Sequence, residues 1–189
     1  ERFRNVHIGI AGLSVGNSAA LCLALEGIER MRLADFDELT LSNLNRIRAG
    51  VPQLGLNKAV ITAQQMYELN PYAKLQVFPK GLQEKKLRQF FAGPPKLDII
   101  VDEMDDVAIK IKLRLMARRL KIPVVSAADN GDNSIVDVER FDLEPARPIF
   151  HGLFKGRIPM RKIEKMDFAF DHKDILRDYL KYKQGGFCF

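Results

Sequence analysis

A glycine turn and a downstream carboxylate raise the first chemical question. The run Val6-His7-Ile8-Gly9-Ile10-Ala11 is short, apolar and β-branched, and it ends at Gly12. It passes through Leu13-Ser14-Val15-Gly16-Asn17 into a helical stretch, and Asp35 closes a second apolar run 23 residues after Gly12. Such a turn lets backbone amides and a helix N-terminus meet a phosphate, while a carboxylate at the second strand end accepts ribose hydroxyls. Gly12, Ser14, Gly16 and Asp35 are therefore candidate nucleotide-binding residues. The match to G-x-G-x-x-G is imperfect, because Ser14 and Asn17 stand at glycine positions; a strand-to-helix turn without a ligand is the competing reading.

The elements that must position these residues follow from periodicity and punctuation. Strands are expected over 6–11, 31–34, 73–78, 97–101 and 122–126, separated by helices over 17–26, 57–69, 83–91 and from a cap at Asp106 to Leu120. Asn70-Pro71 and Gly93-Pro94-Pro95 end two of these helices. Strands alternating with helices imply parallel pairing and right-handed crossovers, hence an α/β Rossmann-like sheet with helices on both faces. Residues 134–141 alternate like an antiparallel edge strand. After Leu143 the pattern breaks at Pro145, Pro148 and Pro159, and 171–182 reads as a short charged helix. The division expected is a nucleotide-binding domain over 1–143 and an irregular extension over 144–189, part of the same domain.

The loop after Asp35 is more specific. It reads Asp35-Phe36-Asp37, then Ser42-Asn43-Leu44-Asn45-Arg46, then Gly55-Leu56-Asn57-Lys58-Ala59 and Asn70-Pro71; later come Asp102-Glu103-Met104-Asp105-Asp106 and Ile122-Pro123-Val124-Val125-Ser126. In order and spacing these motifs closely resemble the ThiF/MoeB adenylyltransferase family, within the superfamily that includes the ubiquitin-activating enzymes. The likeness covers roughly residues 5–140.

The resemblance implies a chemistry and roles for residues. Such enzymes activate a C-terminal carboxylate by attack on the α-phosphate of ATP, giving an acyl adenylate and pyrophosphate. An anionic nucleophile approaches an anionic electrophile, so preorganised cations and a metal must carry the catalysis. Carried over by position, Asp35 binds the ribose hydroxyls, Asn43 and Arg46 bind phosphates, Lys58 neutralises the triphosphate, and Asp105 holds Mg²⁺. Arg46, Lys58 and Asp105 are thus the candidate catalytic residues. The resemblance also implies a small ubiquitin-like or sulfur-carrier protein as partner and a homodimer, often with an arginine from the partner's N-terminal segment entering the site. Here that segment would precede residue 1, and a chain without an initiator Met that enters a strand within five residues is read as a fragment. The Gly12–Asn17 loop and Phe141-Asp-Leu-Glu-Pro-Ala-Arg-Pro148 resemble a bacterial subgroup fused to a nitroreductase-like flavin domain.

There are departures from the pattern. Besides Ser14 and Asn17, Ile47 stands where the family has Gln, and Asp106 where it has Asn. The family's zinc cysteine pairs are missing, since the chain has only Cys22 and Cys188, so no zinc is expected. Cys22, among Leu21, Leu23 and Leu25, is expected in the core, and Cys188 is read as an incidental thiol. His7, His151 and His172 show no ligand spacing. Lys110, Lys112, Arg114, Arg118, Arg119 and Lys121 form a basic helix face, read as solvated rather than as a nucleic-acid surface.

Composition narrows the classes further. With 47% apolar and 29% charged residues, a net charge of +6 and no long apolar run, a globular, cytoplasmic protein without a membrane span is expected. The alternatives to adenylation are a non-catalytic nucleotide-binding interaction domain, a nicotinamide-dependent oxidoreductase sharing the early glycine turn, and the RNA-modifying dehydratase branch, which adenylates a carboxylate on tRNA.

Overall fold

Ile8 and Ile10 alternate with His7, Gly9 and Ala11 along β1 (His7–Ala11), and successive side chains of a strand face opposite ways, so the two sets meet different layers. The computed structural model describes residues 3–130 and 133–152. It divides into two compact units, Glu1–Glu103 and Met104–Phe189.

In the first unit, β1 lies between β2 (Arg30–Ala34) and β4 (Ile99–Asp102), and β3 (Lys74–Phe78) pairs with β2; all three pairings are parallel. Ile8, Ile10, Met31 and Leu33 pack with Ala20 and Leu21 of α1 (Gly16–Leu25) and with Ala59, Ala63 and Met66 of α2 (Lys58–Leu69). On the opposite face a Cβ on Gly9 would lie 2.5 Å from Leu97 Cδ1 and 2.9 Å from Phe90 Cε1. That face is covered by α3 (Glu84–Ala92), whose Leu87, Phe90 and Phe91 are fully buried. Phe90 meets Phe78 and Phe91 edge-on at 5.4 and 5.9 Å. Helices on both faces of a parallel sheet are the architecture expected from the strand and helix alternation.

The second unit contains α4 (Val107–Leu120), started by Asp106, whose Oδ1 accepts from Ile109 N at 3.1 Å, and ended by Lys121 in the left-handed region. β5 (Val124–Asn130) and β6 (Asn133–Glu139) pair antiparallel, as the alternation over 134–141 suggests.

Two expectations are overturned. Cys22 is exposed, because the inward stripe of α1 runs through Asn17, Ala20 and Leu21 and leaves the next position turned away. The basic face of α4 is not simply solvated: Lys110, Lys112 and Arg114 are buried. Arg114 pairs with Glu139, donates to Ser126 Oγ at 3.1 Å and sits 4.2 Å over the Phe150 ring. Burial pushes the Glu139 carboxyl up, and the Arg114 charge opposes that shift. The helix expected over 171–182, His172 and Cys188 lie outside the described residues.

Gly9 sets the spacing between β1 and α3. Gly9→Ala is expected to lower the unfolding free energy by roughly 1–3 kcal/mol through overpacking. A urea melt checks this, and an unchanged midpoint would mean that Leu97 and Phe90 give way freely.

Candidate functional site

The carboxyl ends of β1 and β2 are joined by one side chain. Asp35 follows β2 and is buried; its Oδ2 accepts from Leu13 N at 2.6 Å and its Oδ1 from Asp37 N at 2.8 Å. It therefore holds the glycine loop and the loop after β2 in one arrangement. Burial pushes its carboxyl above the ordinary carboxylate value, while the two amides and the Lys58 charge pull the other way.

The glycine turn depends on two backbone features. Gly12 has φ of 85°, where a side chain is strained, and its amide donates to Ala34 O. Gly16 opens α1 so close to β1 that a Cβ would lie 2.9 Å from Ile10 Cγ2. No side chain caps the first turn of α1, which leaves its start suited to an anion. The two residues that replace glycines are both engaged. Ser14 Oγ accepts from Arg46 Nε at 2.8 Å. Asn17 is buried, donates to Thr62 Oγ1 and Gln65 Oε1 at 2.9 and 2.8 Å, and accepts from Arg48 N at 3.3 Å. Ile47 packs with Leu39 and Ile61, so the position where the family has Gln here serves the core.

The polar loop is built on its own hydrogen bonds. Asn43 is buried, and its Oδ1 accepts from Thr40 N and Thr40 Oγ1 at 3.1 and 3.0 Å, closing a 3-10 turn over Leu41–Asn43. Arg46 is exposed and braced by Ser42 O and Asn45 Oδ1. Lys58, the first residue of α2, is buried with its ammonium 2.9 Å from Asp37 Oδ2. Asp37 and Asn57, to which the motifs assign no role, hold the site's loops together. Asn57 Oδ1 caps α2 by accepting from Ala59 N and Val60 N, and its Nδ2 donates to Asp35 O, Asp37 O and Pro79 O at 3.1–3.2 Å. An Asn immediately before a helical run was the available signal.

Gly12, Ser14, Gly16, Asp35, Asn43, Arg46 and Lys58 thus all belong to loops and helix starts of the first unit. Asp105 belongs to the second unit, where it is exposed directly before the α4 cap. Among the described residues no three His, Cys, Asp or Glu side chains are grouped to hold a metal, and no helix is long and apolar enough to cross a membrane.

This architecture, a Rossmann-like α/β fold with a glycine turn beside a carboxylate after β2, defines a class that the comparisons narrow. The ThiF family model matches residues 1–169, and the chain belongs to that family. It is 45% identical over 157 residues to an uncharacterized protein of Mycobacterium tuberculosis, covering 81% of this chain and 21% of that protein. It is 30% identical over 149 residues to the molybdopterin-synthase adenylyltransferase of Haemophilus influenzae, covering 78% of this chain and 58% of that one. Among solved structures, the tRNA threonylcarbamoyladenosine dehydratase of Escherichia coli in complex with ATP superposes with a TM-score of 0.61 at 31% identity, covering 66% of this chain and 51% of that one. The chain therefore spans between about a fifth and three fifths of the length of these relatives.

Asp35 carries a pH signature. The folded protein holds the Asp35 proton more tightly than the unfolded chain, so this group's contribution to stability falls as pH rises from the ordinary carboxylate value through the raised one. The unfolding free energy of wild type minus that of Asp35→Asn, measured by urea melts over about pH 3 to 7, is expected to decline with rising pH. A difference that grows with pH would put the folded value below the ordinary one.

Proposed function

We propose that this chain is the ATP-binding adenylation domain of an enzyme that activates the C-terminal carboxylate of a small ubiquitin-like or sulfur-carrier protein. The observation that carries the reading is the Arg46–Ser14 hydrogen bond, which brings the arginine of the Ser-Asn-Leu-x-Arg motif onto the glycine turn. In the reaction a carboxylate oxygen bonds to the α-phosphorus of ATP, the bond from that phosphorus to the β-bridging oxygen breaks, and pyrophosphate leaves.

The chain's own groups fit this chemistry. Asp35 keeps unused lone pairs for ribose hydroxyls while fixing the loop amides. Gly12 and the uncapped start of α1 admit phosphate oxygens, and Arg46 and Lys58 supply the positive charge that an anion–anion encounter requires. Asn43, with its oxygen committed to Thr40, has its amide N–H groups left to donate to phosphate. Mg²⁺ takes one or two protein carboxylates and otherwise water and phosphate oxygens, so one exposed acid suffices; Asp105 is the candidate by its place in the motif. When bound, Mg²⁺ supplies charge neutralisation at the phosphates.

The wider assignments belong to the same proposal: residues 1–143 as the adenylation domain with 144–189 as its extension, a homodimer, a cytoplasmic setting, and a fused nitroreductase-like domain. The small share of the Mycobacterium tuberculosis relative that aligns leaves room for such a fusion. In the alternative reading, an enzyme that adenylates a carboxylate on tRNA, α4 would offer RNA Arg119 and Lys121 as exposed cations, since Lys110, Lys112 and Arg114 are buried.

The test is ATP–pyrophosphate exchange by the full-length protein with candidate carrier proteins; no exchange with any of them, together with tighter binding of NAD than of Mg-ATP by calorimetry, would overturn the proposal. Arg46→Ala or Lys58→Ala is expected to weaken ATP by roughly tenfold and AMP much less, since a charge-assisted contact to phosphate is lost. Equal loss for both nucleotides would place these residues elsewhere. Asp105→Ala is expected to remove metal-dependent exchange from a folded protein, and full retained exchange would end its assignment to Mg²⁺.

A further inference from the structure

Away from the nucleotide loops, at the amino-terminal ends of the same strands, basic side chains converge on one face of the sheet. His7, Arg30 and Lys74 are register partners across β1, β2 and β3, so they form one row on one face of the sheet. Arg32 and Gln76 form the next row. These five residues, with Pro94, line a cavity of about 360 Å³. It lies on the order of 13 Å, the length of β1, from the glycine turn.

The row is costly without a ligand. Arg30 stands directly opposite Lys74, and like charges at paired strand positions repel. Neither side chain makes a hydrogen bond or ion pair with any described residue. Glu29, beside Arg30 in sequence, pairs with Arg4 at 2.9 Å, and Asp98 accepts from His7 N at 2.8 Å. Arg32 has a structural task, because its buried guanidinium donates to Phe90 O in the last turn of α3, to Gly93 O and Pro95 O beyond it and to Gln76 Oε1, at 2.6–2.8 Å. All four acceptors are neutral, so its charge adds to the field of the cavity. Burial together with the Arg32 and Arg30 charges holds the His7 pKa below the ordinary histidine value, against the opposing influence of the hydrogen bond between its Nδ1 and Pro95 O and of the Asp98 charge.

We propose that this cavity binds a phosphate group, with Arg30 and Lys74 as its direct ligands and Arg32 as the fixed charge behind them. A phosphate dianion matches the several positive charges gathered here better than a single carboxylate does, and the guanidinium fork suits its oxygens. Because the basic row lies in a recess beside the rigid Pro94-Pro95 corner, the phosphate is that of a small molecule rather than of a nucleic-acid backbone. The site is independent of the adenylation reading.

The experiment is calorimetric titration of the full-length protein, at constant ionic strength and with saturating ATP occupying the nucleotide site, using inorganic phosphate, glycerol phosphate, succinate and a single-stranded oligonucleotide. Wild type is expected to bind the first two, with affinity falling roughly tenfold in Arg30→Gln and in Lys74→Gln. ATP binding is expected to stay unchanged in both variants. Arg30→Lys, which keeps the charge, should restore part of the loss. Lys74 is exposed, so Lys74→Gln tests the site even where Arg30→Gln disturbs the fold. Absence of phosphate binding, equal affinity in wild type and Lys74→Gln, preference for succinate, or tighter binding of the oligonucleotide that depends on Arg30 and Lys74 would each overturn the proposal.

Discussion

The buried carboxylate of Asp35 is the constraint on which the upper edge of the first unit depends. Taking a charge out of water is costly, and here two backbone amides from two different loops offset part of that cost. The bonds fix the glycine turn through Leu13 and the following loop through Asp37, whose own carboxylate then holds the Lys58 ammonium. A change at Asp35 would release both loops at once. On the proposed reading such an arrangement joins folding to function, since the group that stabilises the loop geometry is also the one assigned to the nucleotide's sugar.

Asn57 performs the complementary task from below. One amide side chain starts α2 with its oxygen and gathers three carbonyls with its nitrogen, two from the start of the loop after β2 and one from the segment after β3. Asn17 does the same for α1, α2 and the backbone at Arg48. The loss of glycine at positions 14 and 17 is therefore not a loss of order: the replacing side chains tie the glycine turn to the arginine loop and the first helix to the second.

The alternation of strands and helices was legible because strand and helix periods differ and because Gly, Pro and Asn mark the breaks. Motif order carried the family. Burial of individual charges was not legible: the spacing of Lys110, Lys112 and Arg114 is that of any solvated basic helix, and only tertiary contacts with Glu139 and Phe150 reveal otherwise. Cys22 misled for the reverse reason, since α1 is apolar nearly all round and its sequence does not say which side faces the sheet. Asn43 shows a subtler limit. Its motif position and its capping of Thr40 make the same demand on the same residue type, so sequence alone could not separate binding from architecture. The basic row of His7, Arg30 and Lys74 was invisible because its members are distant in sequence and meet only through strand register.

The Lys58–Asp37 pair has a consequence for ionic behaviour. The ammonium is shielded by protein, whereas Asp37 is half exposed, so Lys58 carries its own counter-ion on a short tether. On the proposed reading, a phosphate that engages Lys58 would exchange with a resident carboxylate instead of adding to a bare cation, and the displaced carboxylate would move into water. The protein would then supply internally part of what dissolved salt otherwise provides, and binding at this position would be correspondingly buffered against changes in the ionic strength around it.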